Sequence, residues 1–420
     1  MTPPVVPPTE LRFVGAADVY KRGRKAGRLV REPASVRFEY DEGYLADPLS
    51  PPVATTLPVR HEPVITGSPG AVPPFFAGLL PEGRRLGALR RSVKTSADDD
   101  LTLLLAVGTD TVGDVQVVPQ GVERTPDDPG LEVGDWSEVR FADLYTDLTG
   151  ERLHAPTAGL AGVQEKVSAR VVSLPMARSH ERFILKLEPP EYPHLVANEA
   201  FFLEAARRSG LTVAQAEVVH DGAGAAGLLV RRFDRARHGG DLIMLAQEDA
   251  CQVLGRYPAD KYTLSTEHVI DGLARTTGAP VVAARDLLRQ FAFAYMTGNG
   301  DAHAKNCSVL QHADGEWHVS PAYDLPTTNP YGDHTTALSI GGTTDDRIGR
   351  SDFVVLGEML GVPPRATERL LDELLARTGS WLPELHVLPF DDRVLHNLRR
   401  AIEYRADRLS PRGGGGGRGR

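Results

Sequence analysis

Cysteine is nearly absent: the chain holds two, Cys251 and Cys307. Two cysteines cannot form a disulfide framework, and their spacing fits no zinc-binding pattern, so a buried free thiol is the expected state of each. Long apolar runs are missing too, and no window nears the roughly 18 apolar residues that a membrane span needs. The opening residues MTPPVVPPTE lack the basic and apolar stretches of a secretory signal, so the expected location is the cytoplasm, with no membrane partner. Positive charge is not in excess. Lys and Arg number 47 against 56 Asp and Glu, a formal charge of −9, which excludes a chain that binds nucleic acid along its whole surface. A local basic cluster, Arg84, Arg85, Arg90, Arg91 and Lys94, reads first as a solvated helix face and second as a phosphate patch. No internal repeat is found, and the glycine-containing stretch Gly159 to Lys166 is neither a Walker A nor a G-x-G-x-x-G sequence.

What is present divides along the chain. At 420 residues, more than one hydrophobic core is expected. Residues 1–10 are Pro-rich and expected to be disordered. Strands are expected at Leu11–Val14, Arg28–Val30 and Val36–Tyr40, the last by its alternation of apolar and polar residues, with a basic turn over Gly23–Gly27. A loop over 48–74, the apolar PFFAGLLPEG of Pro74–Gly83, an acid-capped helix over Asp98–Leu105 and a strand over Asp114–Pro119 complete an α+β subdomain, 11–150. Residues 151–240 read as strand, strand, helix, strand, strand. The helix spans Leu195–Arg208 and stops at Gly210, where left-handed backbone suits glycine. Residues 241–410 are largely helical, with Asp286–Met296 leading into a polar loop, and 411–420 (PRGGGGGRGR) form a mobile basic tail.

That polar loop carries the chemistry. In TGNGDAHAKNCSVLQHADGEWHVSPAYD, Thr297–Asp324, Asp301 precedes Asn306 by five residues, and Asp324 follows after a hairpin-like interval. Phosphoryl transfer from ATP needs an acid near the attacking hydroxyl, an amide and a second acid for a metal ion, a cation at the phosphates and a cradle around them. Taken alone, D-x-x-x-x-N also describes an ordinary turn. Gly159 to Lys166 lies before a strand and suits a backbone cradle for phosphate, although on this stretch alone a plain loop is the favoured reading. Lys186 sits within the apolar strand Phe183–Leu187, where its ammonium needs a partner or water, and Glu199 on the next helix is a candidate partner.

Taken together, AGVQEK from Ala161, FILK from Phe183, VRRFDR from Val230, GDAHAKN from Gly300 and PAYD from Pro321 resemble the HipA family of serine/threonine kinases, the toxin half of bacterial toxin–antitoxin pairs. GRLVRE from Gly27, RFEYD from Arg37 and PFFAGLLPEG from Pro74 resemble that family's N-terminal subdomain. The resemblance implies an α+β, two-lobed protein-kinase-like fold, with a small N-terminal α+β subdomain and a largely helical C-terminal lobe. By position it implies Asp301 as catalytic base, Asn306 and Asp324 as Mg2+ ligands, and Lys186 at the ATP phosphates. Ala161, Gly162, Val163, Gln164, Glu165 and Lys166 would form the phosphate loop. Arg231, Arg232 and Phe233 would meet adenine through backbone groups, while His303, Lys305 and Tyr323 would lie beside the nucleotide.

Two departures from the family pattern stand out. Its switch serine before the phosphate loop is replaced by Gly159, which has no hydroxyl, and Thr157 is the nearest upstream substitute. Arg231 stands where an acid is common in the family. The implied partners are a protein substrate, such as an aminoacyl-tRNA synthetase or another translation factor, and a helix-turn-helix antitoxin through which DNA is met only indirectly. A kinase of a small-molecule or lipid hydroxyl, and a non-catalytic corepressor of an antitoxin, are the alternatives.

Overall fold

A computed structural model of the chain describes residues 6–68, 70–124, 131–149, 172–178, 181–239 and 241–411. The expected phosphate loop Ala161–Lys166, with Thr157 and Gly159, lies outside the described residues, as do both ends of the chain.

The N-terminal subdomain is built on β1 (Ala16–Lys21), β2 (Arg24–Glu32), β3 (Ser35–Tyr40), α1 (Glu42–Leu45), β4 (Val64–Ile65), α2 (Pro74–Gly78), α3 (Gly83–Val93), α4 (Asp100–Val107) and β5 (Val115–Pro119). The strands form one antiparallel sheet in the order β4-β3-β2-β1-β5. Its apolar face buries Leu29 and Phe38, which are directly paired, against Phe76 of α2. Two sequence expectations change here. Leu11–Val14 is no strand: a 3-10 helix covers Pro8–Phe13, started by a proline whose missing N–H costs nothing at a first turn. The β1–β2 turn is the tight pair Arg22 and Gly23, both with positive φ, so the basic residues Arg24 and Lys25 lie in the ladder and not in the turn.

A second antiparallel sheet, ordered β6-β7-β9-β8, follows from β6 (Val172–Arg178), β7 (Glu181–Leu187), β8 (Ala216–His220) and β9 (Ala226–Arg231). It lies between α5 (Phe141–Thr149) and α6 (Leu195–Arg208). The period of two on β9 divides the work: Leu229 faces the cluster of Phe141 and Tyr145, while Leu228 and Val230 join Phe202 and Leu203 of α6. Helix α5, within the stretch read as N-terminal subdomain, therefore shares its core with this second sheet.

The helical lobe begins with the hairpin β10 (Arg235–His238) and β11 (Asp241–Met244), then β12 (Gln247–Asp249), α7 (Ala250–Val253), α8 (Thr266–Thr276) and α9 (Pro280–Thr297). The strands β13 (Ser308–Gln311) and β14 (Trp317–Val319) pair as the expected hairpin and join β12. Helices α10 (Arg350–Met359), α11 (Pro364–Thr378) and α12 (Asp392–Leu409) surround α9, which buries nearly its whole C-terminal half. The fully buried Trp381 packs on Phe202 of α6 and Phe293 of α9, and its indole N–H donates to Ser209 at 2.9 Å, joining both lobes in one core. No helix among the described residues is long and apolar enough to cross a membrane.

The N-terminal subdomain meets the rest of the chain through buried charge. Arg232 pairs with Asp110 at 2.6 Å and Asp234 at 2.7 Å, Arg235 pairs with the same two acids, and the Gly113 N–H donates to Asp234 at 2.9 Å. Burial by itself would raise the Asp234 carboxyl, but the two guanidiniums outweigh it and hold the group well below the usual carboxylate range. A depressed carboxyl contributes stability above its unfolded value of about 4 and loses that contribution as pH falls toward the folded value. Asp234→Asn should therefore cost about 3–5 kcal/mol at pH 7 by leaving two buried guanidiniums with the single carboxylate of Asp110 between them. In urea titrations at pH 7 and pH 3 the variant should also lose less stability on acidification than the wild type. Equal acid dependence in the two proteins would contradict this account.

Candidate active site

Helix α9 ends at Gly298, whose φ of 73° turns the chain left-handed and releases the loop that follows. Side chains then hold that loop. The Asn299 Oδ1 accepts from the Asp301 N–H at 3.0 Å, the Gly300 N–H donates to Thr328 Oγ1 at 2.9 Å, and Asn306 Nδ2 donates to the Asp301 carbonyl at 2.8 Å. Asp301 is buried, and the Tyr262 hydroxyl donates to its Oδ1 at 2.6 Å.

Asp324 lies across from this loop. It adopts a positive φ of 54°, a conformation that Asp visits more readily than most residues, and its carbonyl accepts from Asn299 Nδ2 at 3.0 Å. Asn299 thus bridges the two acidic segments. From the second sheet, Lys186 points inward. Its ammonium lies 2.7 Å from Glu199 of α6 and also contacts the Asp324 carboxylate. Glu199 is buried, as a member of such a pair must be to keep the ammonium fixed. Lys186, Glu199, Asp324, Asn306 and Asp301 are therefore brought together at the junction of the lobes.

The other expected residues divide into three groups. Phe233 and Tyr323 face each other across the lobes, ring centroids 5.8 Å apart, and the Tyr323 hydroxyl donates to the Lys305 carbonyl at 2.8 Å. His303 is buried with its ring edge-on to Tyr262, centroids 5.0 Å apart, inside the loop as expected. The side chains of Arg231, Arg232 and Lys305 point elsewhere. Arg231 pairs with Glu181 at 2.6 Å at the exposed end of the two central strands, and Arg232 belongs to the buried cluster with Asp110 and Asp234. The Lys305 ammonium turns toward the N-terminal subdomain, 2.7 Å from Asp249 and 3.1 Å from the Gly78 carbonyl. Burial would lower its pKa, but Asp249 and Glu82 outweigh that and raise it, so the cation is committed to those acids.

Asn306 and Asp324 offer hard oxygen donors. With its amide nitrogen spent on the Asp301 carbonyl, Asn306 turns its oxygen away from that group, and the Asp324 side chain is 31% exposed. One amide oxygen and one carboxylate suit Mg2+, which usually takes one or two protein oxygens and fills its octahedron with phosphates and waters.

Several residues of the site carry no motif signal. Asn299, Tyr262 and Thr328 hold the loop, and Asn198, beside Glu199, docks α6 on the segment after Asp324. Its amide donates to the Thr327 carbonyl at 2.9 Å and accepts from the Thr327 N–H at 3.0 Å, with both residues fully buried. Asn198→Ala leaves two buried backbone groups unpaired and should cost about 2–4 kcal/mol, to be read from the urea midpoint. It should also weaken nucleotide binding, because Glu199 rides on the same turn. A stability loss below about 0.5 kcal/mol would show that the docking is loose.

Known proteins resemble this chain in sequence and fold. The HipA N-terminal domain matches residues 17–118 and the HipA-like C-terminal domain matches residues 158–382. The Sinorhizobium fredii protein named "Putative kinase Y4mE" is 31% identical over 367 residues, covering 82% of this chain and 83% of that protein. The Serine/threonine-protein kinase toxin HipA of Shewanella oneidensis is 28% identical over 363 residues, covering 79% of this chain and 75% of that protein. A solved Shewanella oneidensis HipA, in complex with HipB and its operator DNA, superposes with a TM-score of 0.75 at 23% identity, over 94% of this chain and 97% of that one, and so has the same fold. The motifs, the lobed architecture and the matches to both domains make this chain a member of the HipA family of kinases.

Proposed function

We propose that this chain is an ATP-dependent serine/threonine-protein kinase acting as the toxin of a toxin–antitoxin pair in the cytoplasm. The observation that carries the reading is the Lys186 ammonium held between Glu199 and Asp324, with Asp301 and Asn306 tied to the same loop network. A pure binding protein has no need of this costly set of paired buried charges at a lobe junction.

In the proposed reaction an acceptor serine or threonine hydroxyl attacks the γ-phosphorus, the bond to the ADP oxygen breaks, and Asp301 takes the hydroxyl proton. Lys186 would meet the phosphates, and Phe233 and Tyr323 would bound the nucleotide pocket where the lobes join. Mg2+ held by Asn306 and Asp324 would neutralise the phosphate charge. The protein substrate would be an aminoacyl-tRNA synthetase or another translation factor, and the antitoxin a helix-turn-helix protein that brings DNA into the complex. The Shewanella oneidensis structure, whose title names HipB and operator DNA, supports a partner of that kind.

Calorimetry separates the roles. Asp301→Asn should lower phosphoryl transfer by about 10²–10⁴-fold while leaving Mg·ATP affinity within about twofold, because the base acts on the acceptor. Asp324→Ala should weaken Mg·ATP binding as well. Equal losses of nucleotide affinity in the two variants would count against this division.

In cells, expression of the wild type should slow growth, and Asp301→Ala should relieve the arrest. Coexpression of an adjacent helix-turn-helix gene should do the same. Arrest that persists unchanged in Asp301→Ala would rule out a kinase-dependent effect.

A further inference from the structure

The N-terminal subdomain reaches the catalytic loop directly, at points that phosphoryl transfer itself does not require. The segment from Pro74 to Gly83, noted in the sequence for its apolar character and its family resemblance, meets this loop with polar groups aimed at two lysines. The Gly78 carbonyl accepts from the Lys305 ammonium at 3.1 Å. The Glu82 carboxylate pairs with Lys261 and lies 3.8 Å from Lys305. Lys305 belongs to the loop itself, and Lys261 precedes the tyrosine that holds Asp301.

The connection from Glu82 to the base is short and continuous. The Lys261 ammonium lies over the Tyr262 ring, 5.2 Å from its centroid. The Lys261 carbonyl accepts from the Ala304 N–H at 3.2 Å, so the backbone of this segment is bonded to the loop. The Tyr262 hydroxyl donates to Asp301 Oδ1 at 2.6 Å, and its ring packs edge-on against His303. A hydrogen bond to one carboxylate oxygen fixes the plane of the group and so decides how the other oxygen is presented. Each ion pair in this connection is mostly buried: side-chain exposure is 12% for Lys261, 27% for Glu82 and 11% for Lys305. Screening by water is correspondingly weak, and moving Glu82 would displace both lysines.

We infer that the Pro74–Gly83 segment is a buttress of the catalytic loop, and that Tyr262 and Glu82 are positioning residues for Asp301. This rests on the reading of Asp301 as the base for its effect on turnover, but not for its effect on the loop. The subdomain then has a role in the enzyme itself, since whatever shifts it relative to the helical lobe alters the presentation of Asp301.

The test uses the full chain with Tyr262→Phe, Glu82→Gln and the double variant. Hydrogen exchange of the loop peptide 298–307 is measured without nucleotide, and phosphoryl transfer from radiolabelled ATP to casein, as a generic serine acceptor, is measured alongside. Loss of a hydrogen bond or pair to a charged group should speed loop exchange by about tenfold in each single variant. It should lower kcat by about the same factor, with the KM for ATP and the thermal midpoint little changed. The double variant should fall short of the product of the two effects, because both act through one hold on the loop. Unchanged loop exchange in either single variant, or an effect in the double variant equal to the product, would overturn the inference. So would a drop in kcat matched by an equal rise in the KM for ATP. If the wild type binds no Mg·ATP but the loop responds as expected, the kinase reading fails and the buttress stands.

Discussion

One ammonium group joins three separate elements of this molecule. Lys186 comes from the second sheet, Glu199 from the helix behind that sheet, and Asp324 from a loop of the helical lobe. Desolvating any one of these charges alone would cost several kcal/mol, so each depends on the other two staying in place. The grouping is also unbalanced, with two carboxylates around one cation. That leaves negative charge where the metal ion accompanying a nucleotide would bring positive charge. The site is therefore held together without ligand, yet electrostatically suited to accept one.

Much of the scaffold for this group was legible in the sequence because it uses strong local signals. The bounds of α6 were legible because an apolar-rich stretch runs from Leu195, broken on its buried face only by Asn198 and Glu199, and Gly210 follows its end with a φ of 88°. Lys186 betrayed itself as a charge in an apolar strand, and the order of Asp301, Asn306 and Asp324 along one loop and hairpin was a local pattern as well. Tyr262 escaped notice because its partner lies in a different segment, brought near only by the fold of α8 and α9. The orientations of Lys305 and Arg232 were hidden for the same reason: motif spacing places a residue in a loop, but long-range acids such as Asp249 and Asp110 decide where its side chain goes.

A different limit governed the first part of the chain. Leu11–Val14 has strand-like composition but follows Pro7 and Pro8, and a helical first turn tolerates proline better than a central ladder does. The basic run after Gly23 looked like a turn because charged residues crowd it. The actual turn needs only two residues with positive φ, and the cations extend from the sheet to acids such as Asp47 and Asp18. In both places, backbone geometry overrode composition.

The way the N-terminal subdomain is attached explains why so much charge is buried at its border. Besides the Arg232 cluster, Glu248 accepts from both the N–H and the hydroxyl of Thr55, and Asp114 pairs with Lys21 and Arg22, the latter also reaching Gln311. Apolar contact alone is tolerant of small slides, since it has no direction. Paired charges and bidentate bonds are not, because a displacement of an ångström or so leaves buried groups unsatisfied. A border built this way adds little net stability compared with well-packed apolar side chains. What it provides is register, and register is what a subdomain needs if its turn between α2 and α3, at Gly78 and Glu82, is to meet Lys305 and Lys261 beside the catalytic loop.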